Sequence, residues 1–150
     1  MRRSMMASVL FAGFALVLFP VLAQAGAGNV LGYWFTEGNK SKVEIEPCGD
    51  KLCGKIVWLK EPKTKEGKDK TDAHNPDKSL RSRKILGLAL LSDFVKGTDG
   101  NSWEDGKIYN PEDGETYKCT MTLQDDGTLE VRGYVGIPLF GKSQIWTRAK

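Results

Sequence analysis

The 150-residue sequence predicts an all-β domain of about eight antiparallel strands that follow one another as hairpins, in a sandwich or a barrel. Turn signals rich in Gly, Asp and Asn recur at short intervals. The segments between them alternate apolar and polar residues with a period of two, as half-buried strands do. Two cysteines that flank one turn indicate a stapled hairpin.

The first 25 residues are predicted to be a cleaved signal peptide. Arg2 and Arg3 give a positive start, an apolar run follows, and Ala23-Gln24-Ala25 has the small-x-small form of a cleavage site. An uncleaved anchor helix is the alternative, but the apolar run falls short of the roughly 20 residues of a bilayer span. We therefore expect a single domain, residues 26–150, located in the periplasm or secreted and not membrane-spanning.

The charge of the mature chain argues against nucleic acid as a partner. Removing Arg2 and Arg3 with the signal peptide lowers the formal charge from +3 to +1. Nucleic-acid binding draws its affinity from a strongly basic face, which a near-neutral domain lacks.

Turn signals divide the mature chain into strands in order. The segment Glu37-Gly38-Asn39-Lys40 separates a first strand, residues 29–36, from a second, residues 41–46. Glycine supplies the positive φ that tight turns require. Three later turns are predicted on the same grounds at residues 98–101, 111–114 and 125–127.

Alternation is clearest in the last third of the chain. Residues 116–123 carry apolar side chains on one face and polar side chains on the other, and the next run repeats this. The two apolar faces consist of Tyr117, Cys119, Met121 and Leu123, and of Leu129, Val131 and Val135.

Residues 60–84 break the strand pattern, because they are rich in lysine and contain Pro62, Gly67 and Pro76. We predict a long loop with one short helix after Asn75-Pro76-Asp77. A loop of this length in a compact domain is usually functional or mobile. Its interleaved lysines and acids are typical of a solvated loop, with contact to an anionic surface as the alternative.

Cys48 and Cys53 are predicted to form a disulfide, since an exported chain meets an oxidising compartment. Residues that face each other across a short hairpin satisfy the distance limits of the bond. A redox-active pair is the alternative, but the spacing is not Cys-x-x-Cys and no predicted helix lowers a thiol pKa. Closing so short a loop contributes only about 2 kcal/mol.

Gly32-Tyr33-Trp34 in the first strand and Trp146-Thr147-Arg148 in the last resemble the calycin barrels, the lipocalins and fatty-acid-binding proteins. The resemblance implies a single antiparallel eight-stranded barrel. Trp34 would plug its closed end, and Arg148 would stack on the indole and cap nearby carbonyls. Such a pair would close the barrel and remove both sheet edges. Two unrelated residues at the edge of the core are the alternative.

Further segments carry a more specific resemblance. Cys-Gly-Asp-Lys-Leu-Cys at residues 48–53 and Ile-Tyr-Asn-Pro at residues 108–111 are the most specific. With them, the chain resembles domain-of-unknown-function family 2147, a set of small exported bacterial proteins. This implies a periplasmic or secreted protein and supplies no activity and no catalytic residues. These two segments belong to longer matching stretches, residues 48–59 and 106–111, and the other segments are residues 32–36, 75–77, 113–117, 133–136, 139–141 and 146–148.

No catalytic or metal-binding constellation emerges from the sequence, so we predict no cofactor and no metal. The single histidine, His74, lacks the three or four converging ligands of a zinc site. Turn and helix-capping roles are favoured over calcium binding for four side chains whose spacing does not match a calcium loop. These are Asp69, Asp72, Asn75 and Asp77.

Cys119 is the remaining thiol, and two interpretations exist for it. It is either a nucleophile or ligand-facing thiol, or a small core residue, and the second is favoured because apolar burial makes a thiol inert. An enzyme would need Cys119, His74 and an acid to converge in one cleft. We therefore favour a protein that is not an enzyme and name no catalytic residue.

The leading hypothesis is a non-catalytic barrel of the cell envelope that binds a small apolar or amphipathic, lipid-like ligand. The long loop would lie near its mouth. The alternative is a filled barrel that contacts an envelope protein through exposed aromatic residues such as Tyr33, Tyr109 and Phe140. The predicted ligand contacts are Trp58, Tyr117, Cys119, Met121 and Val131.

Overall fold

A computed structural model describes residues 29–150, so the predicted signal peptide lies outside the described residues. Eight strands form one closed antiparallel barrel in sequence order. The predicted all-β, eight-stranded barrel is confirmed. The strands are β1 (Gly32–Phe35), β2 (Ser41–Cys48), β3 (Lys51–Leu59), β4 (Ala89–Lys96), β5 (Ser102–Asn110), β6 (Glu115–Leu123), β7 (Leu129–Tyr134) and β8 (Lys142–Arg148).

Helical structure within the described residues is limited to short 3₁₀ turns, at Glu37–Asn39, Lys78–Leu80 and Pro138–Phe140. No helix in residues 29–150 has the length and hydropathy that crossing a membrane requires. Every predicted turn separates two strands. Val135 is an exception to the predicted pattern, because β7 ends at Tyr134 and the Val135 side chain is exposed.

The cysteine hairpin is tighter than the sequence predicts. β2 continues to Cys48 and β3 begins at Lys51, so that only Gly49-Asp50 forms the turn. Cys48 pairs with Lys51 and Cys53 pairs with Glu46, so the cysteines are diagonal neighbours on one face and not directly opposite. The predicted disulfide is present, with Cα atoms 5.8 Å apart.

Side chains from every strand fill the interior of the barrel. The period-two alternation places Cys119 and Met121 in the core, where both are fully buried. The backbone of β5 at Gly106 lies against the Phe94 ring of β4, so closely that a Cβ at this position would overlap the ring. The core consists mainly of Trp34, Val43, Ile45, Ile56, Leu91, Phe94, Trp103, Cys119, Met121, Leu129, Val131 and Trp146.

The antiparallel order divides the connections between the two ends of the barrel. The turns after β2, β4 and β6 share one end with residue 29 and the C-terminus, which we call the terminal end. The connections after β1, β3, β5 and β7 share the other, which we call the loop end.

The long loop between β3 and β4, residues 60–88, is more ordered than a solvated linker. The predicted short helix is present as Lys78–Leu80, and the Asp77 side chain caps it by accepting a hydrogen bond from Ser79 N. Two antiparallel bridges, Lys63 with Asp69 and Thr71 with Lys84, shape the rest.

Candidate functional site

Trp34 and Arg148 lie against each other where β1 pairs with β8. The guanidinium carbon is 4.0 Å from the centroid of the Trp34 ring. Trp34 Nε1 donates to Val30 O at 2.8 Å, and Arg148 donates to the carbonyls of Leu31 and Asn29. These donors all point to backbone carbonyls just before β1, so the pair joins the first and last strands of the sheet.

Three of the five side chains predicted to contact a ligand belong to the packed core. Cys119, Met121 and Val131 have almost no accessible surface. These three therefore offer almost no surface to a ligand.

Trp58 lies outside the barrel, so its predicted inward position is wrong. Lys42 pairs with Trp58 while the next residue, Val43, pairs with Ile56, which leaves one extra residue in β3. This bulge turns Trp58 outward. Its side chain is 41% exposed and meets Phe35 edge to face, with ring centroids 5.9 Å apart.

Tyr117 faces the interior near the loop end of the barrel, where its side chain is half-buried. It pairs with Ile108, and its hydroxyl donates to Asp113 Oδ2 at 2.8 Å. That hydrogen bond raises the pKa of Tyr117. The phenol therefore stays protonated at neutral pH.

Cys119 is buried, and burial raises its pKa to about 12. We therefore expect the thiol to be unreactive toward a disulfide reagent such as DTNB in the folded protein and to react fully after unfolding. A thiol titration with and without denaturant measures this. Reaction of Cys119 before denaturant is added would contradict the buried position.

A buried carboxylate, for which the sequence predicts a turn or helix-capping role, lies at the centre of a polar cluster. Asp72 is fully buried and accepts from the Tyr109 hydroxyl at 2.5 Å, Asn75 Nδ2 at 2.8 Å and Arg83 Nε at 2.8 Å. We call these four residues the Asp72 cluster. It joins the long loop to β5, because Tyr109 is the one member that comes from a strand.

The backbone of the loop supports this cluster. Asn75 N donates to Asp72 O at 3.0 Å, and Arg81 Nε donates to Asn75 O at 2.7 Å. On the barrel, Gly114 adopts φ 77° in the β5–β6 turn, and a Cβ there would overlap the carbonyl of His74. The loop is thus packed directly against that turn, and only glycine fits.

The electrostatics of the cluster indicate a structural role for its acid. Burial alone would raise the pKa of Asp72, but the hydrogen bonds from Tyr109, Asn75 and Arg83 outweigh it and lower that pKa. Burial and the Asp72 charge raise the pKa of Tyr109. At neutral pH a carboxylate therefore accepts from a neutral phenol, and neither is available as a base or nucleophile. Among residues 29–150, no group of acids, His and Cys is arranged to hold a metal ion.

A cavity of about 350 Å³ opens beside the Asp72 cluster. Tyr109 and Thr116, which pair with each other, line it. The neighbouring pair, Ile108 and Tyr117, faces the interior together with Cys119. Because successive residues of a strand face opposite sides, Tyr109 and Thr116 face outward. The cavity, which we call the outer cleft, thus lies between the barrel wall and the long loop. Its other lining residues are Asn75, Pro76, Arg83, Ala89, Leu90, Leu91, Ser92, Lys107 and Gly114.

The outer cleft combines apolar and cationic groups. Pro76, Leu90 and the Tyr109 ring provide apolar surface, and no acidic residue lines the cleft. Arg83 Nε donates a hydrogen bond to Asp72, and the Arg83 guanidinium lies 5.7 Å from the centroid of the Tyr109 ring. Lys107 reaches Asp93 at 3.0 Å. This chemistry suits a small amphipathic molecule with an anionic end.

None of the five predicted ligand contacts lines the outer cleft. Six of its eleven lining residues instead lie in segments that carried the family resemblance, and these are Asn75, Pro76, Lys107, Tyr109, Gly114 and Thr116. These segments are the signal in the sequence that could have indicated the site. What the sequence could not show is that they meet.

Comparisons with known proteins agree with this fold. A family model described as "Uncharacterized protein conserved in bacteria (DUF2147)" matches residues 32–148. No curated protein matches the chain. Among solved structures, protein HP1028 of the human pathogen Helicobacter pylori, described as belonging to the lipocalin family, is similar with a TM-score of 0.68 and 29% identity, covering 81% of this chain and 84% of that chain.

Proposed function

The chain belongs to domain-of-unknown-function family 2147, and from its lipocalin-like barrel and outer cleft we propose that it is a non-catalytic binding protein of the bacterial cell envelope. Its ligand is a small amphipathic molecule with an anionic end. Fold likeness alone is a weak argument for binding. The observation that carries the proposal is the outer cleft, whose volume of about 350 Å³ suits a small molecule.

The placement of the ligand follows from the packing. The interior is occupied by large side chains such as Trp34, Phe94 and Trp146. A ligand inside the barrel would have to displace them, whereas the outer cleft is open in the structure. Arg83 and Lys107 already pair with Asp72 and Asp93, so their remaining N–H donors would hydrogen-bond the anionic end of the ligand. Leu90 and Pro76 would contact its apolar part.

The location in the envelope is part of the same proposal. Residues 1–25 have the form of a signal peptide, which leaves residues 26–150 as the mature domain. The Cys48–Cys53 disulfide supports export, because such bonds persist in oxidising compartments. The proposal places the protein in the periplasm or outside the cell.

Filling the outer cleft should weaken binding. Thr116 and Thr120 lie on the outer face of β6, but only Thr116 lines the cleft. We expect Thr116→Trp to weaken binding of the fluorescent fatty acid cis-parinaric acid by about tenfold or more, which corresponds to ~1.4 kcal/mol. Thr120→Trp is the matched control and should leave the affinity unchanged. Equal affinities of both variants and the wild type would place the ligand elsewhere.

Native mass spectrometry of protein purified gently from the periplasm identifies the natural ligand. An additional mass that denaturation releases would support the binding proposal and give the class of the ligand. The same additional mass should be absent from Thr116→Trp. If only the apo mass is found and cis-parinaric acid does not bind, the proposed ligand is wrong.

A filled barrel that binds an envelope protein is the second candidate, and the packed interior favours it. Tyr109 is half-buried in the Asp72 cluster and is not a free contact, unlike Tyr33 and Trp58 on the outer wall. Together with Phe35 they present an aromatic surface on β1 and β3. Alanine at Tyr33 and Trp58 should then disrupt a crosslinked periplasmic complex without lowering the thermal stability of the domain.

A further inference from the structure

The connection between β7 and β8 exposes an unusual concentration of large apolar side chains. Val135, Ile137, Leu139 and Phe140 are 74%, 53%, 73% and 77% exposed. We call residues 135–140 the apolar loop. Single exposed apolar residues are normal on protein surfaces, whereas several in one short segment mark a binding surface.

The apolar loop is held in its exposed form by hydrogen bonds. Arg132 Nε donates to Pro138 O at 2.7 Å, and its Nη2 donates to Leu139 O at 3.2 Å. Arg132 Nη1 also donates to Ser143 Oγ at 2.8 Å, which fixes the guanidinium between β7 and β8. The loop could not fold its apolar side chains back onto the barrel without losing these bonds. Their exposure is therefore built into the fold.

The chemistry around the apolar loop distinguishes between possible partners. Residues 131–145 contain no Asp or Glu. Lys118 and Lys142 flank the base of the loop, where they pair with Tyr134 and Gly133. Two acids on neighbouring elements are engaged, Asp113 with Tyr117 and Asn110, and Glu130 with Ser143 and Gln124, while Glu37 lies on the 3₁₀ turn that contacts β8. Apolar side chains beside these two lysines match a phospholipid surface with anionic headgroups.

Shape and size argue for lipid over a second protein. The apolar loop projects from the loop end of the barrel, whereas a stable protein interface buries about 800 Å² on each partner. Six residues on one projecting loop do not supply such an area. A fluid bilayer, in contrast, needs no complementary shape, so a small projecting apolar loop can insert into it.

We propose that the apolar loop inserts into the headgroup region of an anionic phospholipid membrane and attaches the folded domain to it peripherally. Leu139 and Phe140 enter the apolar boundary, and Lys118 and Lys142 contact the phosphates. The proposal stands independently of the outer cleft. The apolar loop would attach the domain to a membrane, whereas the outer cleft would bind a small molecule.

Vesicle flotation of the mature protein tests the proposal. We expect binding to vesicles of phosphatidylethanolamine and phosphatidylglycerol, and weaker binding to phosphatidylcholine vesicles. The double variant Leu139→Ser, Phe140→Ser should bind about tenfold or more weakly, because two large apolar contacts are removed. Val95→Ser, a change of an exposed apolar residue on β4 near the terminal end, is the control and should bind like the wild type.

A reporter variant gives a second readout. The fluorescence of Phe140→Trp should shift to shorter wavelength when anionic vesicles are added, since the indole leaves water. Absence of vesicle binding by the wild type, equal binding by the double variant, or no spectral shift would each overturn the proposal. Loss in the double variant of a wild-type dimer seen by ultracentrifugation, without vesicle binding, would assign the loop to a second copy of the chain.

Discussion

Replacing Asp72 by alanine is expected to lower the free energy of unfolding by about 3 kcal/mol. The change removes the acceptor of three hydrogen bonds, leaves the Tyr109 hydroxyl without its acceptor, and leaves Asn75 Nδ2 with only its 3.1 Å bond to the Tyr109 oxygen. It also leaves the Arg83 charge beside the Tyr109 ring without its counter-ion. Urea unfolding followed by circular dichroism measures the loss.

The matched control is Asp69→Ala, on the same loop. Asp69 pairs with Lys63 and Lys84 at the surface, where ion pairs contribute little. Its replacement should therefore change stability much less. Equal losses at both positions would show that the loop is held by its surface charges and not by the Asp72 cluster.

The same residue gives a pH dependence of known sign. The pKa of Asp72 in the folded protein lies below its ordinary value of 3.8, so the unfolded chain takes up a proton first as the pH falls. Its contribution is fully present above pH 3.8 and is lost as the pH drops through the folded pKa. Other acids titrate in this range too. The difference between wild type and Asp72→Asn should therefore shrink on acidification, and a constant difference would contradict the assignment.

The strands could be predicted because their signals are local. A period of two and a glycine-containing turn lie within ten or so residues of each other, and β5 begins and ends where the sequence pattern indicates. Trp58 shows the limit of this reasoning. A regular period of two would put it on the same face as Ile56, but the bulge in β3 is set by pairing with β2 and cannot be read from residues 55–59.

The Asp72 cluster could not be predicted because it depends on contacts distant in sequence. Asp72 and Tyr109 are 37 positions apart and meet only after the long loop folds along the outside of the barrel. A charged residue in a polar loop is ordinarily solvated, so the pattern around Asp72 favoured a turn. Burial of that carboxylate became possible because donors from two elements converge on it.

Resemblance predicted the architecture of the barrel better than its contents. The residues that close a calycin barrel are compatible with a hollow or a filled interior, and here Trp146, Met121 and Phe94 fill it. The same filling moves the proposed ligand site to the outside. A fold thus constrains where a cleft can form, and the side chains decide which of these places is open.

Replacing Trp34 by alanine is expected to cost about 3–5 kcal/mol, comparable to or larger than the loss at Asp72. The indole is fully buried, its nitrogen donates to Val30 O, and Arg148 lies on its ring. Its removal leaves a large cavity, an unpaired carbonyl and a guanidinium without its stacking partner. Urea unfolding of Trp34→Ala measures this. Trp58→Ala, which removes an indole from the outer wall, should cost far less.

Arg148→Lys separates stacking from charge in the same pair. Lysine keeps the positive charge but loses the planar group and cannot donate to the carbonyls of Leu31 and Asn29 in the same geometry. We expect a loss smaller than that of Trp34→Ala and larger than that of Trp58→Ala. If Arg148→Lys is as stable as the wild type, charge alone suffices at the β1–β8 seam. If Trp34→Ala loses no more than Trp58→Ala, the closure of the barrel does not depend on this pair.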